Sequence, residues 1–323
     1  MTGPGASPSA SIDAVVIGRN EGARLLACIA SLQGQVARII YVDSGSRDGS
    51  VAAARAAGAE VVELDMSLPF TAARARNAGL ARVEADLVQF VDGDCEVQPG
   101  WIAAARAGLA AHPAAVVLCG RRRERHPGAS LWNRLADREW DTPVGLARAC
   151  GGDALMVTAA LRTVGGYRED LIAGEEPELC LRLRRAGGEI WRLDAEMTLH
   201  DAAMTRFSQW WRRTQRAGHA FAEGAALHGA SLDRHWVAET RRAVFWGLGV
   251  PLLALVAGGL LHPLGWLILL AWPLQALRLA LRWGDPAAAA FSVLGKLPEA
   301  LGVAGFWLDR LRGRRRGLIE YKG

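Results

Sequence analysis

Short apolar runs and short helical patterns alternate along the first two-thirds of the chain. Apolar runs predict strands at residues 12–17, 38–42, 60–64 and 86–91. Apolar residues three or four positions apart predict helices at 20–33, 48–57 and 71–83, the first of them capped by Asn20. This alternation continues to residue 201 and is typical of an α/β sheet with helices on both faces.

The last third of the chain is far more apolar. The 35 residues between Arg242 and Arg278 contain no Asp, Glu, Lys or Arg. A membrane span needs about 20 residues, so this stretch fits two spans, and we predict a hairpin over about 243–281 that turns at residues 262–265. A buried helical hairpin in a soluble protein is the alternative. Residues 287–308 carry Lys296 and Glu299 and are predicted to form an amphipathic helix on the membrane surface.

Charge and composition narrow the class of protein. Hydrophobic residues make up 51% and the net charge is +5, so general disorder of the chain is excluded. Residues 1–11 are Gly/Pro/Ser-rich and are predicted to be disordered. Their sequence does not have the pattern of a secretory leader. Five dispersed cysteines without C-x-x-C argue against a disulfide framework or zinc ribbon and favour a reducing compartment. The arginines of 310–316 are a solvated tail or bind anionic lipid headgroups, and nucleic acid is not an expected partner.

Polar turns follow two of the predicted strands. Asp92 and Asp94 flank Gly93 directly after the strand at 86–91, and side chains two apart in extended chain project to one side. Paired carboxylates suit Mg²⁺ or Mn²⁺ bridging the phosphates of a nucleotide. Asp43 ends the second strand and can accept from a base N–H or a ribose hydroxyl, whereas Asp48 is expected to cap the next helix.

The glycine motifs of dinucleotide dehydrogenases, P-loop NTPases and α/β-hydrolases do not occur. Glu175 and Glu176 are adjacent carboxylates that open a helical stretch. Crowding of like charges raises one pKa of such a pair, as a general base requires, although acidic residues also complement a helix dipole. His200 follows a strand-like run and is either structural or a ligand.

These motifs, in this order, resemble the family 2 glycosyltransferases of the GT-A fold. The resemblance covers about residues 14–219 and rests on segments 18–21, 42–49, 75–79, 92–94 and 174–176. It implies a Rossmann-like nucleotide-sugar domain at 12–230. The apolar pattern described above predicts that membrane-associated helices follow at 231–323.

The resemblance also implies roles for individual residues. The implied nucleotide-sugar ligands are Glu21, Asp43, Arg76 and Asp92, with Asp92 meeting the ribose or the metal. Asp94 would ligate Mg²⁺ or Mn²⁺, and His200 would lie near the metal or diphosphate. Glu176 would be the catalytic base; the family usually has Asp there, so Glu175 stays the alternative.

The segment 209–213 resembles the Q-x-x-R-W motif of processive polysaccharide synthases, but Arg213 replaces the final Trp. Those enzymes also need a many-helix channel, so we expect non-processive transfer. Arg212 or Arg216 is expected to contact the diphosphate, with a basic face against anionic lipid as the equal alternative.

The implied activity is inverting, metal-dependent transfer of a sugar from a nucleoside diphosphate sugar, with UDP favoured, to a lipid-linked acceptor. Cell-envelope or exopolysaccharide synthesis at the inner membrane, with a cytoplasmic catalytic domain, is the expected setting. A polyprenyl-phosphate sugar transferase is one alternative. A catalytically silent, nucleotide-sugar-binding membrane scaffold is the other.

Overall fold

A computed structural model describes residues 10–314; residues 1–9 of the predicted disordered segment, and the arginines at 315 and 316, lie outside the described residues. Within that range the first part of the chain forms one mixed sheet. Its strands are β1 (Ile12–Gly18), β2 (Arg38–Asp43), β3 (Glu60–Glu63), β4 (Leu87–Asp92), β5 (Cys95–Val97), β6 (Ala115–Glu124), β7 (Gly145–Leu146), β8 (Ala154–Val157) and β9 (Glu189–His200). The strand order is β3-β2-β1-β4-β8-β6-β9-β5, with β7 paired to β9.

The strands at the centre of this sheet are buried on both faces. In β1 the consecutive residues from Ile12 to Val16 are all buried, and so are Leu87–Val91 of β4. Successive strand side chains project to opposite faces, so both faces are covered and the predicted α/β class is confirmed. The helices of this part are α1 (Ala23–Leu32), α2 (Ser50–Ala56), α3 (Ala72–Leu80), α4 (Trp101–Ala111), α5 (Leu131–Trp140), α6 (Thr158–Thr163) and α7 (Glu175–Arg185).

The prediction that Asn20 caps the first helix is wrong. Helix α1 begins at Ala23 with Gly22 at the cap position, and Asn20 has a φ of 56°. The Asn20 side chain instead accepts from the backbone N–H of Arg47 at 2.7 Å, and its own N–H donates to Ser46 Oγ at 2.8 Å. These two hydrogen bonds join the loops after β1 and β2. The Asn20 side chain is therefore engaged with the second loop and does not cap α1.

The register of the parallel strands fixes where the polar turns lie. Ile17 of β1 pairs with Asp92 of β4, and Gly18 of β1 pairs with Asp43 of β2. The carboxyl ends of these three neighbouring strands therefore meet at one edge of the sheet, where α/β proteins bind ligands.

The described chain divides into two compact units. The first runs to Leu171 and resumes over Glu175–Thr205, and the second comprises Ile172–Gly174 with the residues from Arg206 onward. The second contains α8 (Phe207–His228) and three apolar helices, Val237–Leu261, Pro263–Trp283 and Pro286–Leu311. This division lies before α8, whereas the predicted domain boundary lies at 230.

Close backbone contacts explain why α8 groups with the apolar helices. A Cβ atom at Gly218 of α8 would collide with the backbone of Glu299, and one at Gly302 would collide with the carbonyl of Gln215. Glycine at these positions lets two helices pack with their backbones in contact, as small residues do in membrane helix pairs. The third apolar helix thus buries one face within its own unit.

All three apolar helices are long and apolar enough to cross a membrane. The second exposes leucines along its length, including Leu267, Leu274 and Leu281, and none of its residues is buried. The first packs against it, since the Trp272 Nε1–H donates to the Trp246 carbonyl at 3.2 Å. A helical hairpin is therefore present, with its turn at His262, and its unburied apolar surface is what a membrane would cover.

Candidate active site

Two arginines hold the carboxylate of Asp92 at the end of β4. Arg76 of α3 donates from Nη2 to Asp92 Oδ1 at 2.8 Å, and Arg122 of β6 donates from Nη2 to Asp92 Oδ2 at 2.9 Å. Desolvation acts to raise the pKa of Asp92, but the two arginines outweigh it and lower the pKa below its usual value. Asp92 is therefore an anion held between two cations.

Asp153, which the sequence analysis missed, binds both Asp92 and Arg122 of this cluster. Its side chain is fully buried just before β8. It accepts from the Asp92 backbone N–H at 2.9 Å, from Arg122 Nε at 2.9 Å and from the Thr198 hydroxyl at 2.8 Å. A buried carboxylate that receives three donors fixes its partners, so Asp153 positions both Asp92 and Arg122.

The loop before β8 lies directly against the arginines. A Cβ atom at Gly152 would lie 2.7 Å from Asp92 Oδ2 and 3.0 Å from Arg76 Nη2. No side chain fits there unless the cluster moves, so glycine at 152 is a requirement of the site.

Asp94 and His200 meet beside this cluster. Asp94 Oδ2 lies 3.4 Å from His200 Nε2, and both residues are buried. Strand pairing explains the approach, because Cys95 of β5 pairs with His200 of β9. One ligand atom from each of Asp94, Cys95 and His200 lies within 4.8 Å of the others.

Glu124 at the end of β6 lies on the far side of His200, with Oε2 3.9 Å from His200 Nδ1. Burial acts to lower the pKa of His200, but the carboxylates of Asp94 and Glu124 outweigh it and raise the pKa. The Trp140 ring packs edge-on against the imidazole at 4.6 Å. A positive charge is therefore favoured between the carboxylates of Asp94 and Glu124. A proton on His200 or a bound divalent cation can supply this charge.

The adjacent carboxylates of α7 have different surroundings. Glu175 Oε1 accepts from Arg76 Nη1 at 2.8 Å, so this residue is an ion-pair partner in the arginine cluster. Glu176 is buried, and its Oε1 accepts from the backbone N–H of Cys150 at 2.6 Å. Burial raises the pKa of Glu176 despite the hydrogen bonds it accepts.

Two thiols, also missed by the sequence analysis, contact the same oxygen of Glu176. Cys150 Sγ is 3.0 Å and Cys180 Sγ 2.9 Å from Oε1. Burial raises the pKa of Cys180 to about 11, so this group is a neutral thiol that donates to the carboxylate.

The predicted nucleotide ligands of the first two strands lie at the same edge. Asp43 is buried, with Oδ1 accepting from the Tyr41 hydroxyl at 2.8 Å and Oδ2 accepting from the N–H groups of Gly45 and Ser46. Each carboxylate oxygen has two lone pairs, so Oδ1 retains capacity for one further donor. Glu21 forms an ion pair with Arg24 at 2.7 Å.

Not every predicted residue lies in this unit. Arg212 is exposed on α8 and Arg216 lies four residues further along, both in the second unit. Their contact with the diphosphate stays a prediction. The prediction that Asp48 caps the next helix is wrong, because Gly49 occupies the cap position of α2. Asp48 instead accepts from the Ser50 N–H at 3.1 Å in the turn before the helix.

Comparison with known proteins shows what the first unit is similar to. Residues 13–155 match the family model described as glycosyl transferase family 2. The "pre-mycofactocin glycosyltransferase" of Mycobacterium tuberculosis H37Rv is 27% identical over 243 residues, covering 70% of this chain. The chain spans about half the length of that relative (50%).

Two solved structures share the fold. The mannosyltransferase PcManGT of Pyrobaculum calidifontis, in complex with GDP-Man and Mn²⁺, has a TM-score of 0.59 at 17% identity, with 95% of this chain and 89% of that one covered. TarS 1-349 of S. aureus, in complex with UDP-GlcNAc, has a TM-score of 0.52 at 14% identity, with 94% and 92% covered. Residues 13–155 are thus similar to the glycosyl transferase family 2 domain, and the two solved structures share the fold of this chain.

Proposed function

We propose that this glycosyltransferase moves one sugar from a nucleoside diphosphate sugar to a hydroxyl of a lipid-linked acceptor, with inversion at the anomeric carbon. The observation that carries the proposal is the cluster of acidic and basic side chains at the carboxyl ends of the parallel strands. Asp92 and Asp94 lie there beside two arginines, the buried Arg76 and the partly buried Arg122. Carboxylates for a cation and guanidinium groups for phosphate oxygens are what a diphosphate leaving group requires.

The nucleoside is assigned to the ends of β1 and β2. Asp43 retains an acceptor position on Oδ1, and a ring N–H of the base is a fitting donor. Uracil offers such an N–H, so a UDP-sugar is the proposed donor. The two structural neighbours were solved with GDP-Man and UDP-GlcNAc, whose bases both carry ring N–H groups.

Asp94 and His200 fit a divalent cation, with Mg²⁺ or Mn²⁺ as the proposed ion. A carboxylate oxygen and an imidazole nitrogen converge to 3.4 Å, and Glu124 stands behind the imidazole as an orienting partner. The neighbour PcManGT was solved with Mn²⁺. When bound, the cation would offset the negative charge that develops on the departing diphosphate.

Glu176 is the proposed general base. It would take the proton of the acceptor hydroxyl while that oxygen attacks the anomeric carbon and the bond to the diphosphate breaks. Its raised pKa suits proton abstraction near neutral pH, and its neighbour Glu175 is engaged by Arg76. These surroundings favour Glu176 over Glu175.

The apolar helices of the second unit support a lipid-linked acceptor and a location at a membrane. Its apolar helices leave large leucine-rich surfaces unburied, which fits a membrane that also holds the lipid of the acceptor. We propose the inner membrane, with the catalytic unit on the cytoplasmic side. Transfer is proposed to be non-processive because the described chain offers three membrane-length helices rather than a many-helix channel.

A donor screen on the purified full chain tests this function. Common UDP-, GDP- and dTDP-sugars are each supplied with Mn²⁺ and a bacterial lipid extract, and nucleotide release is measured. Release that depends on both the lipid extract and one UDP-sugar is expected. Transfer to a polyprenyl phosphate alone would point to the phosphate-acceptor alternative, and an inert protein that binds nucleotide sugar would point to a scaffold.

A further inference from the structure

Three side chains of the first unit place metal-ligand atoms around one point. The Sγ atoms of Cys150 and Cys180 are 3.7 Å apart and lie 3.0 and 2.9 Å from Glu176 Oε1. Glu176 and Cys180 are four residues apart on α7, which puts them on one face of the helix. Cys150 comes from the loop before β8, and both cysteines are free thiols.

We propose that Cys150, Glu176 and Cys180 form a binding site for a thiophilic divalent cation such as Zn²⁺, and that an ion bound there inhibits transfer. The inhibition rests on the proposed function, since Glu176 is the proposed base. The binding site itself does not.

The spacing of the ligand atoms matches tetrahedral zinc. With a Zn–S distance of about 2.3 Å, two sulfurs of a tetrahedral site lie about 3.8 Å apart, and a sulfur and a carboxylate oxygen about 3.5 Å. The sulfurs of Cys150 and Cys180 already have this separation at 3.7 Å. The Glu176 oxygen needs to move by about half an ångström. Three protein ligands leave the fourth position to water.

Ligand chemistry separates this site from the one at Asp94. Thiolates select soft ions such as Zn²⁺ over Mg²⁺, whereas carboxylates and water suit Mg²⁺ and Mn²⁺. On binding, the two thiols release two protons to solvent, and the cation, two thiolates and one carboxylate form a complex of net charge −1. Cys150 is only partly buried, which gives the ion a route from solvent.

Cadmium is the probe, because Cd²⁺ bound to thiolate absorbs in the ultraviolet. The full chain, kept reduced with a phosphine, is titrated with Cd²⁺ in excess Mg²⁺. The test variant is Cys150→Ser/Cys180→Ser, since serine keeps the size and still donates to Glu176. Cys28→Ser is one control, and Cys95→Ser is the other because it removes the thiol beside Asp94 and His200.

The wild type, Cys28→Ser and Cys95→Ser are expected to develop the ultraviolet absorption band of one Cd²⁺ ion bound by two thiolates. Cys150→Ser/Cys180→Ser is expected to lack this band. An equal band in the double variant, or none in the wild type, overturns the site. In transfer assays the double variant is expected to need at least tenfold more Zn²⁺ for half-inhibition. Cd²⁺ binding without Zn²⁺ inhibition would overturn the inhibitory role and count against Glu176 as the base.

Discussion

The proposed chemistry of this protein depends on single residues at the strand ends. Asp92 and Asp94 are two positions apart, yet they have different partners: Asp92 is held by two arginines, and Asp94 faces His200. The carboxylate of Asp92 is thus already neutralised, whereas Asp94 belongs to a pocket that favours a cation. Within the D-x-D pair, Asp94 is therefore the proposed metal ligand.

Replacing that ligand gives the first prediction. Asp94→Asn keeps the shape but loses the charge, and Mn²⁺-dependent affinity for the nucleotide should fall at least about tenfold, as loss of metal-site groups commonly causes. Asp86→Asn, at the amino end of β4, is the matched control and should bind as the wild type does. Calorimetry with UDP, with and without Mn²⁺, measures both. Unchanged metal-dependent affinity in Asp94→Asn would refute the assignment.

The pH dependence of transfer follows from the environment of Glu176. A base must be deprotonated, and burial raises the pKa of Glu176 above the ordinary glutamate value of about 4.3. Activity should therefore decline as the pH falls through this raised pKa, with full activity only above it. The pH profile of kcat measures the midpoint. A profile that stays flat down to about pH 4.3 would exclude Glu176 as the titrating base.

At the scale of elements, a glycine in one loop decides how closely the backbone approaches the charged cluster. Gly152→Ala would place a methyl group 2.7 Å from Asp92 Oδ2 and 3.0 Å from Arg76 Nη2, so these side chains must shift away from position 152. We expect weaker nucleotide binding and a loss of about 1–3 kcal/mol of unfolding free energy, as for other overpacked sites. Gly128→Ala has no neighbouring atom within 4 Å and is the control. Chemical denaturation of both variants measures the difference, and equal stability would contradict the account.

The elements also show what the sequence can and cannot predict. The strands ending at Asp43 and Asp92 are visible as apolar runs followed by polar turns, and the family motifs point to Glu176 and His200. Arg122 and Asp153 were not assigned, because β6 and β8 reach Asp92 only through antiparallel pairing of strands distant in the chain. Glu124 was missed because its partner His200 lies on β9, a strand far along the chain that pairs in parallel with β6. Local patterns reveal strand ends, but the sheet order decides which of them meet.

At the scale of the whole molecule, the apolar helices set the topology. Arg241, Arg242, Arg278 and Arg282 lie near the end of the hairpin opposite its turn, and positively charged helix ends face the cytoplasm. The turn at His262 should then lie on the far side. His262→Cys, in a variant whose native cysteines are replaced, should react with an impermeant thiol reagent added to intact cells. Arg282→Cys should react only after permeabilisation, and protection of position 262 from outside would contradict two crossings.

The central claim is that Glu176 removes the acceptor proton while the nucleotide is held elsewhere in the site. Transfer rate and nucleotide affinity measured together for Glu176→Gln and Glu175→Gln test it most directly. Glu176→Gln should lower kcat by about 10²–10⁴-fold with unchanged nucleotide affinity, as loss of a general base does. Glu175→Gln removes the carboxylate charge opposite Arg76 and should retain most of kcat while altering nucleotide affinity. An active Glu176→Gln beside an inactive Glu175→Gln would contradict the assignment.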